Sequence, residues 1–321
     1  MRKNKHHLLS EGVFSRLITA SLKGISQVIL IENVMTGFLI LVAITIFSYY
    51  LGIIALLSAI IGTLAGKLGA ADEKIINQGL LGYNSVLTGI ALASFLTGPY
   101  MWLVALIGSA LAAIFTAAMM HFTKRTEVPI LTFPFVILTW FILLASYKLN
   151  GVKLSSALIP QDLTHWELKT AGGVNLVDGV FHGIGQVFFL NNTVSGILIF
   201  LAVFWAGRKL GLYAVIGNAV AIIIAFLLGG ERSLITLGLY GYNAILTILA
   251  VSAIFKSEHN RFSFLSGIIS ACLTVPITAG LSTYLLPYGL PALTMPFVLC
   301  SWLFLGARKV LQNYKHCLLM M

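Results

Sequence analysis

The 321-residue chain is 59% hydrophobic and only 9% charged, with a mean hydropathy of +0.97, a balance that excludes an ordinary soluble globular domain. The formal charge of +10 would suit nucleic acid, but the Lys and Arg residues sit at the termini and at the ends of apolar segments, where they meet lipid headgroups. Nucleic acid is therefore excluded as a partner and the lipid bilayer takes its place.

The chain opens with MRKNKHHLLSEGVFSRL, basic and polar, without the short apolar core and small-residue cleavage site of a secretory signal. A membrane span needs about 20 mostly apolar residues to cross roughly 30 Å of hydrocarbon. Residues 36–48, 51–66, 101–120, 130–147, 196–207, 211–228, 242–255, 264–284 and 293–307 meet or approach that length. The run from Val34 to Ala65 is too long for one straight helix, and Ser48-Tyr49-Tyr50-Leu51-Gly52 is the expected break. Two further segments, Asp72–Gly82 and Glu231–Gly241, begin with acids and end with glycine, as a short helix does. About ten residues give roughly 15 Å, half the hydrocarbon core, so both are expected to be re-entrant half-helices. The longest relatively polar stretch, Lys148 to Gly179, reads as a surface loop. Cys272, Cys300 and Cys317 have no metal-ligand spacing and read as packing thiols, and the seven histidines form no metal motif.

An internal repeat orders these elements. GLLGYNSVLTG (79–89) matches GLYGYNAILTI (238–248) at an offset of 159 residues, and GISQVILIENVMTG (24–37) matches GIGQVFFLNNTVSG (183–196) at the same offset. LTFPF (131–135) matches LTMPF (293–297) at an offset of 162. The expected organisation is a first repeat, 1–160, and a second, 161–321, both in one membrane domain. The expected fold class is an all-α polytopic membrane protein of two homologous, inverted halves, each with about five transmembrane helices and one half-helix. With ten spans, 16 Lys/Arg fall on the side of the termini and 4 (Lys148, Lys153, Lys169, Arg232) on the other, which puts both termini in the cytoplasm.

Repeated membrane proteins place their binding site at the repeat interface near mid-membrane. A helix that stops there leaves up to four carbonyls without intrahelical partners, tolerated only beside a cavity or other protein. Such acceptors suit a solute bearing N–H donors. Gln27 and Gln186 add amides, and Thr132 and Thr294, each two residues before a proline, add hydroxyls. Tyr83, Tyr242 and Phe189, with Leu30, Leu87 and Leu246, supply flat apolar walls. Each of these residues alone would read as interhelical glue or core; their shared register favours a lining.

Other chemistries lack their residues. No chain of Asp, Glu, Lys or Arg runs through the apolar segments for proton or ion coupling, and no Walker A sequence drives transport with ATP. The Gly-Tyr-Gly filter, the Asn-Pro-Ala box and the paired carboxylates that would hold magnesium for prenyl transfer are all missing. A neutral, flat, donor-rich solute is the physical expectation. Urea fits, with four N–H bonds and one acceptor oxygen, and a line of acceptors offsets a transfer cost of about a few kcal/mol.

From about Lys23 to Leu305, through both G-I-x-Q-V, both G-L-x-G-Y-N and both L-T-x-P-F segments, the chain resembles the urea transporter family, in its bacterial type. The resemblance implies two inverted halves, a homotrimer with one pore per subunit, a multi-pass position in a bacterial inner (plasma) membrane, and passive, channel-like urea conduction without enzyme activity, cofactor or metal. It further implies that Gln27 and Gln186 stand at the two ends of the filter, and that Thr132 and Thr294 are its paired hydroxyls. Tyr83 with Leu87, Tyr242 with Leu246, and Val187 with Phe189 match wall positions. The chain departs from the family where Leu30 stands opposite Phe189 in the repeat, where Glu32-Asn33-Val34 and Asn191-Asn192-Thr193 replace Asn-Asn-Pro, and where Tyr occupies both wall positions at which Phe is common. The competing expectations are a channel for ammonia, water or another small amide such as formamide, and a membrane enzyme or assembly factor. No repeat-related histidine pair supports ammonia, and no acid–base pair supports an enzyme.

Overall fold

The computed structural model describes residues 2–126, 128–168, 170, 172–255 and 263–318. Lys169 and His259 lie outside the described residues, as do the side chains of His6, His7, His165, His316 and Cys317. The chain divides into two compact units, residues 1–119, 134–159 and 201–206 in one and residues 120–133, 160–200 and 207–321 in the other.

The first unit contains α1 (Arg2–Gln27), α2 (Val34–Phe47), α3 (Tyr49–Leu68), α4 (Glu73–Asn77), α5 (Tyr83–Phe95) and most of α6 (Met101–Thr123) and α7 (Phe133–Ala145). Two short strands, β1 (Leu96–Thr97) and β2 (Lys153–Leu154), pair antiparallel and tie the loop after α7 to the end of α5. The second unit contains α8 (Leu176–Gly185), the first part of α9 (Thr193–Ala206), α10 (Arg208–Leu227), α11 (Arg232–Thr236), α12 (Gly241–Leu249), α13 (Ser263–Leu285) and α14 (Met295–Leu318). All nine segments proposed as spans are helical: α2, α3, α6, α7, α9, α10, α12, α13 and α14. The sequence reading missed α5, whose polar Asn84, Ser85 and Thr88 dilute its hydropathy although each is fully buried.

The break at Ser48 is where it was expected. Its backbone is extended (φ −156°, ψ 116°), its N–H closes α2 on Ile44 O, and its hydroxyl accepts from Leu51 N at the start of α3. Small residues then let helices approach. A Cβ at Gly62 would stand 2.6 Å from Ser85 Oγ and 2.8 Å from Leu81 O. Ser109 Oγ donates to Ser58 Oγ at 2.9 Å with Gly89 beside them. In the second unit, Gly217 does the same against Ala244 O.

The described residues include four helices long and apolar enough to cross a membrane, α3, α6, α10 and the α13 segment, and a fifth if one bent pair counts as one span. That pair is Leu176–Phe188 with Thr193–Ala206, turned by 74° at the break.

This corrects the placement of the half-helices. Asp72–Gly82 and Glu231–Gly241 hold only the five-residue α4 and α11, about 7.5 Å each. Both stop early because Gly79 and Gly238 adopt left-handed φ, +75° and +72°. Gly79 N bonds Ile76 O and Leu80 N bonds Ile75 O; Gly238 N and Leu239 N repeat this on Ile235 O and Leu234 O. The chain thus turns before it has crossed half the hydrocarbon. Gly82 and Gly241 do not end helices but begin α5 and α12. The sharp bend lies instead between α8 and α9, where Phe189 supplies the left-handed stop.

The stretch Lys148–Gly179 is mostly exposed loop as expected, except that α8 starts within it at Leu176. Cys300 is buried and Cys272 half-buried, both as free thiols.

Candidate functional site

The repeated sequence builds repeated backbone. Five described non-glycine residues have positive φ, and four of them are two repeat pairs: Leu30 (61°) with Phe189 (62°), and Leu131 (50°) with Leu293 (50°). The left-handed region costs an L-residue roughly 1–2 kcal/mol, so such positions persist only where the surroundings hold them. Here each holds a motif residue in place. Leu30 and Phe189 end the turns that start at Gln27 and Gln186, with Leu30 N on Gln27 O at 2.9 Å and Phe189 N on Gln186 O at 3.1 Å. Leu131 and Leu293 precede Thr132 and Thr294.

The two glutamines make the same bond. Gln27 Nε2 donates to Gln78 O at 3.1 Å, just past α4, and Gln186 Nε2 donates to Leu237 O at 3.0 Å, just past α11. Each amide therefore caps the helix-end carbonyl of its own repeat and stays half-buried, with one N–H and Oε1 left over. Carbonyls expected to stand free are engaged as well: Lys74, Ile75 and Ile76 O accept from backbone N–H groups beyond α4, and Ser233, Leu234 and Ile235 O do so beyond α11. Ile76 O and Ile235 O each accept from two backbone N–H groups.

Thr132 and Thr294 meet directly, Oγ1 to Oγ1 at 2.6 Å, and are 1% and 2% exposed. Each is followed by a helix with proline in its first turn, Pro134 in α7 and Pro296 in α14, where the missing N–H has no intrahelical partner to lose. The Tyr-Asn pair of the repeated motif fixes the second of these turns. Tyr242 Oη donates to Leu293 O at 2.6 Å, Asn243 Nδ2 donates to the same oxygen at 3.3 Å, and Asn243 Oδ1 accepts from Phe297 N at 3.2 Å. Asn243 is thus the N-terminal cap of α14, supplied from another helix. The Tyr242 hydroxyl is thereby committed to the backbone.

Tyr83 and Tyr242 are buried at 6% and 7% exposure, and Leu87, Leu246 and Val187 are fully buried. Leu30 and Phe189 are half-buried. Tyr242 and Leu246, four apart on α12, share a face, as do Tyr83 and Leu87 on α5. Of the residues singled out in the sequence, the structure joins Thr132 to Thr294 by a bond; the glutamines bond backbone rather than one another.

Sequence reasoning assigned no role to Asn84 and Asn243, although their repetition beside the tyrosines was the available signal. It also missed Trp302, whose Nε1 donates to Pro129 O at 2.7 Å while its ring lies 5.2 Å from Phe133. Glu32, part of the Glu32-Asn33-Val34 departure, pairs with Lys23 at 2.7 Å. In an exposed setting such a pair contributes about 0.2–1 kcal/mol.

Comparison with known proteins gives the family. The family described as UT, Urea transporter, matches residues 18–309. The chain belongs to the urea transporter family. That family consists of transporters and not of enzymes. Urea transporter 1 of Ovis aries is 28% identical over 289 residues, covering 88% of this chain and 75% of its own length. Urea transporter 1 of Mus musculus is 26% identical over 313 residues, 95% of this chain and 80% of its own. With its apolar helices, the chain is an integral membrane protein.

Proposed function

We propose that this protein conducts urea passively across a membrane, along a pathway lined by Gln27, Gln186, Thr132 and Thr294, with carbonyls at the ends of α4 and α11 as acceptors and Tyr83, Tyr242, Leu30, Leu87, Val187, Phe189 and Leu246 shaping its walls. Membership of the urea transporter family over residues 18–309 is the observation that carries the reading. The chemistry is compatible. Urea's four N–H bonds need acceptors, which Gln78 O and Leu237 O, just past α4 and α11, offer beside the bond each accepts from a glutamine. Its oxygen needs donors, which the free amide N–H groups of Gln27 and Gln186 offer. The desolvation cost of urea, about a few kcal/mol, is offset without an energy source. No Asp, Glu, Lys or Arg occurs in α2, α5, α6, α7, α9, α12 or α13, so those helices hold no carboxylate, lysine or arginine to couple flow to a gradient.

The finer expectations belong to the same proposal: two inverted halves, a homotrimer with one pathway per subunit, and a bacterial plasma membrane with cytoplasmic termini. The family resemblance supports the first two, and the loop charge supports the orientation.

The experiment is flux of urea, formamide, ammonia and glycerol into proteoliposomes, with and without imposed proton or sodium gradients. Urea is expected to enter well ahead of glycerol and never to exceed its outside concentration. Accumulation driven by either gradient would sink the passive reading.

A further inference from the structure

A cavity of about 550 Å³ lies in the first unit, lined from both sides of the α2–α3 break and from the α5–α6 junction. Ligand pockets span roughly 300–1,000 Å³. It shares no residue with the pathway proposed for urea. Phe47, Tyr50 and Trp102 give it aromatic walls, and Ile54, Ala93 and Met101 add apolar surface. The Tyr50 ring stands edge-on to Trp102, with centroids 6.0 Å apart. Its polar groups are unspent. Elsewhere in this unit Thr63, Ser85 and Thr116 return their hydroxyl protons to the carbonyl one turn back, the usual retreat of a hydroxyl in an apolar helix. Ser94, which lines the cavity, does not: its Oγ is buried and has no partner. A ligand that bonds such a hydroxyl relieves a desolvated group.

The other polar groups are donors. Trp102 Nε1 has no acceptor among the described residues, whereas Trp302 Nε1 bonds Pro129 O. Ser48 Oγ caps α3 by accepting from Leu51 N, which leaves the Tyr50 N–H in the first turn without an intrahelical acceptor. No carboxylate lines the cavity. The groups present therefore suit a ligand rich in acceptors and apolar surface. Urea, with four N–H bonds and one oxygen, is a poor match.

The surroundings say what carries those acceptors. Tyr49, Tyr50, Tyr100 and Tyr147 are half or more exposed, and Tyr100 lies against Gly151 in the loop that β2 closes onto β1. Exposed Tyr and Trp gather where a membrane protein meets the lipid headgroups. Lys148 and Lys153 follow Tyr147, exposed and without a carboxylate partner among the described residues. Lys153 faces Thr97 across the strand pair, three residues after Ser94. We propose that this cavity binds one anionic phospholipid per chain. Its ester carbonyls, which only accept, bond the Ser94 hydroxyl and Trp102 Nε1. Its acyl chain covers Ile54, Ala93 and Met101, and its phosphate lies toward Lys148 and Lys153. The lipid fills the gap that the break at Ser48 opens.

The test reads lipid binding alone, so its outcome does not depend on urea conduction. Purified, delipidated protein in detergent is titrated with dioleoyl phosphatidylglycerol or dioleoyl phosphatidylcholine, and native mass spectrometry counts the lipids held per chain. One phosphatidylglycerol per chain should bind first, with phosphatidylcholine about three- to tenfold weaker for want of net charge toward the lysines. Ser94→Ala and Trp102→Phe each remove one donor and should weaken phosphatidylglycerol about three- to tenfold. Ala93→Phe fills the cavity and should abolish the first binding step; if it fails to fold, the two donor variants decide. Leu212→Ala, at an exposed position of α10 in the other unit, should change nothing. Three results overturn the inference: no phosphatidylglycerol held, equal binding of the two lipids, or phosphatidylglycerol binding unchanged in both donor variants. The last leaves only the unspecific lipid shell of a membrane protein.

Discussion

Leu293 O accepts from Tyr242 Oη at 2.6 Å and from Asn243 Nδ2 at 3.3 Å, so two substitutions separate what each side chain contributes. Tyr242→Phe removes one donor from an oxygen that keeps another, and should lower stability by about 1 kcal/mol. Asn243→Leu removes that second donor and also the acceptor for Phe297 N, leaving a buried N–H unpaired at the start of α14. It should cost about 2–3 kcal/mol. Thermal unfolding of purified protein in detergent checks the order; equal losses would mean that the cap on α14 contributes nothing. At this scale the sequence was legible wherever a residue type and its repetition coincided, as for Gln27 with Gln186 and Thr132 with Thr294. What it could not reveal is which partner each polar group takes. The Tyr242 hydroxyl has the same composition whether it faces a slot or Leu293 O.

Glycine position decides where α4 and α11 stop, and Gly238 and Gly229 make a controlled comparison. Both have left-handed φ, +72° and +71°. A Cβ on Gly229 meets nothing within 4 Å, and the first repeat carries Ala70 at that position with φ 52°. Gly229→Ala should therefore cost only the conformational term, about 1 kcal/mol. Gly238→Ala adds a collision with the backbone of Gly183 and His182, neither of which can swing aside. It should cost more than about 3 kcal/mol and move α11 off α8. Chemical denaturation of both variants tests this; similar losses would mean that the close approach is not needed. The helices themselves were readable from apolar runs because lipid demands them. The half-helices were misplaced because acid at the start and glycine at the end mark a stop without saying how many turns precede it. The bend between α8 and α9 rests on Phe189 at φ 62°, a conformation its side chain gives no reason to expect.

Across the whole molecule, the same motifs recur in the same order. Each copy of G-I-x-Q-V ends a helix so that its Gln reaches the carbonyl beyond its own G-L-x-G-Y-N helix, at 3.1 Å in one and 3.0 Å in the other. The L-T-x-P-F pair then brings the two threonines together at 2.6 Å. These regularities were visible in the sequence as offsets of 159 and 162 residues. The differences between copies, such as Lys23 against His182, were visible as letters but not as networks. Function at this scale requires that the glutamines and threonines contribute to passage as well as to packing. The most direct measurement is stopped-flow urea flux in proteoliposomes with equal amounts of wild type, Gln186→Leu and Thr294→Val, each checked for folding by gel filtration. The predicted result is urea flux in wild type well above protein-free vesicles, reduced about ten- to hundredfold in Gln186→Leu by the loss of about 1–3 kcal/mol of hydrogen bonding to a desolvated solute, and reduced also in Thr294→Val. Wild-type urea flux in both variants would contradict it, leaving these residues as interhelical contacts and the pathway elsewhere.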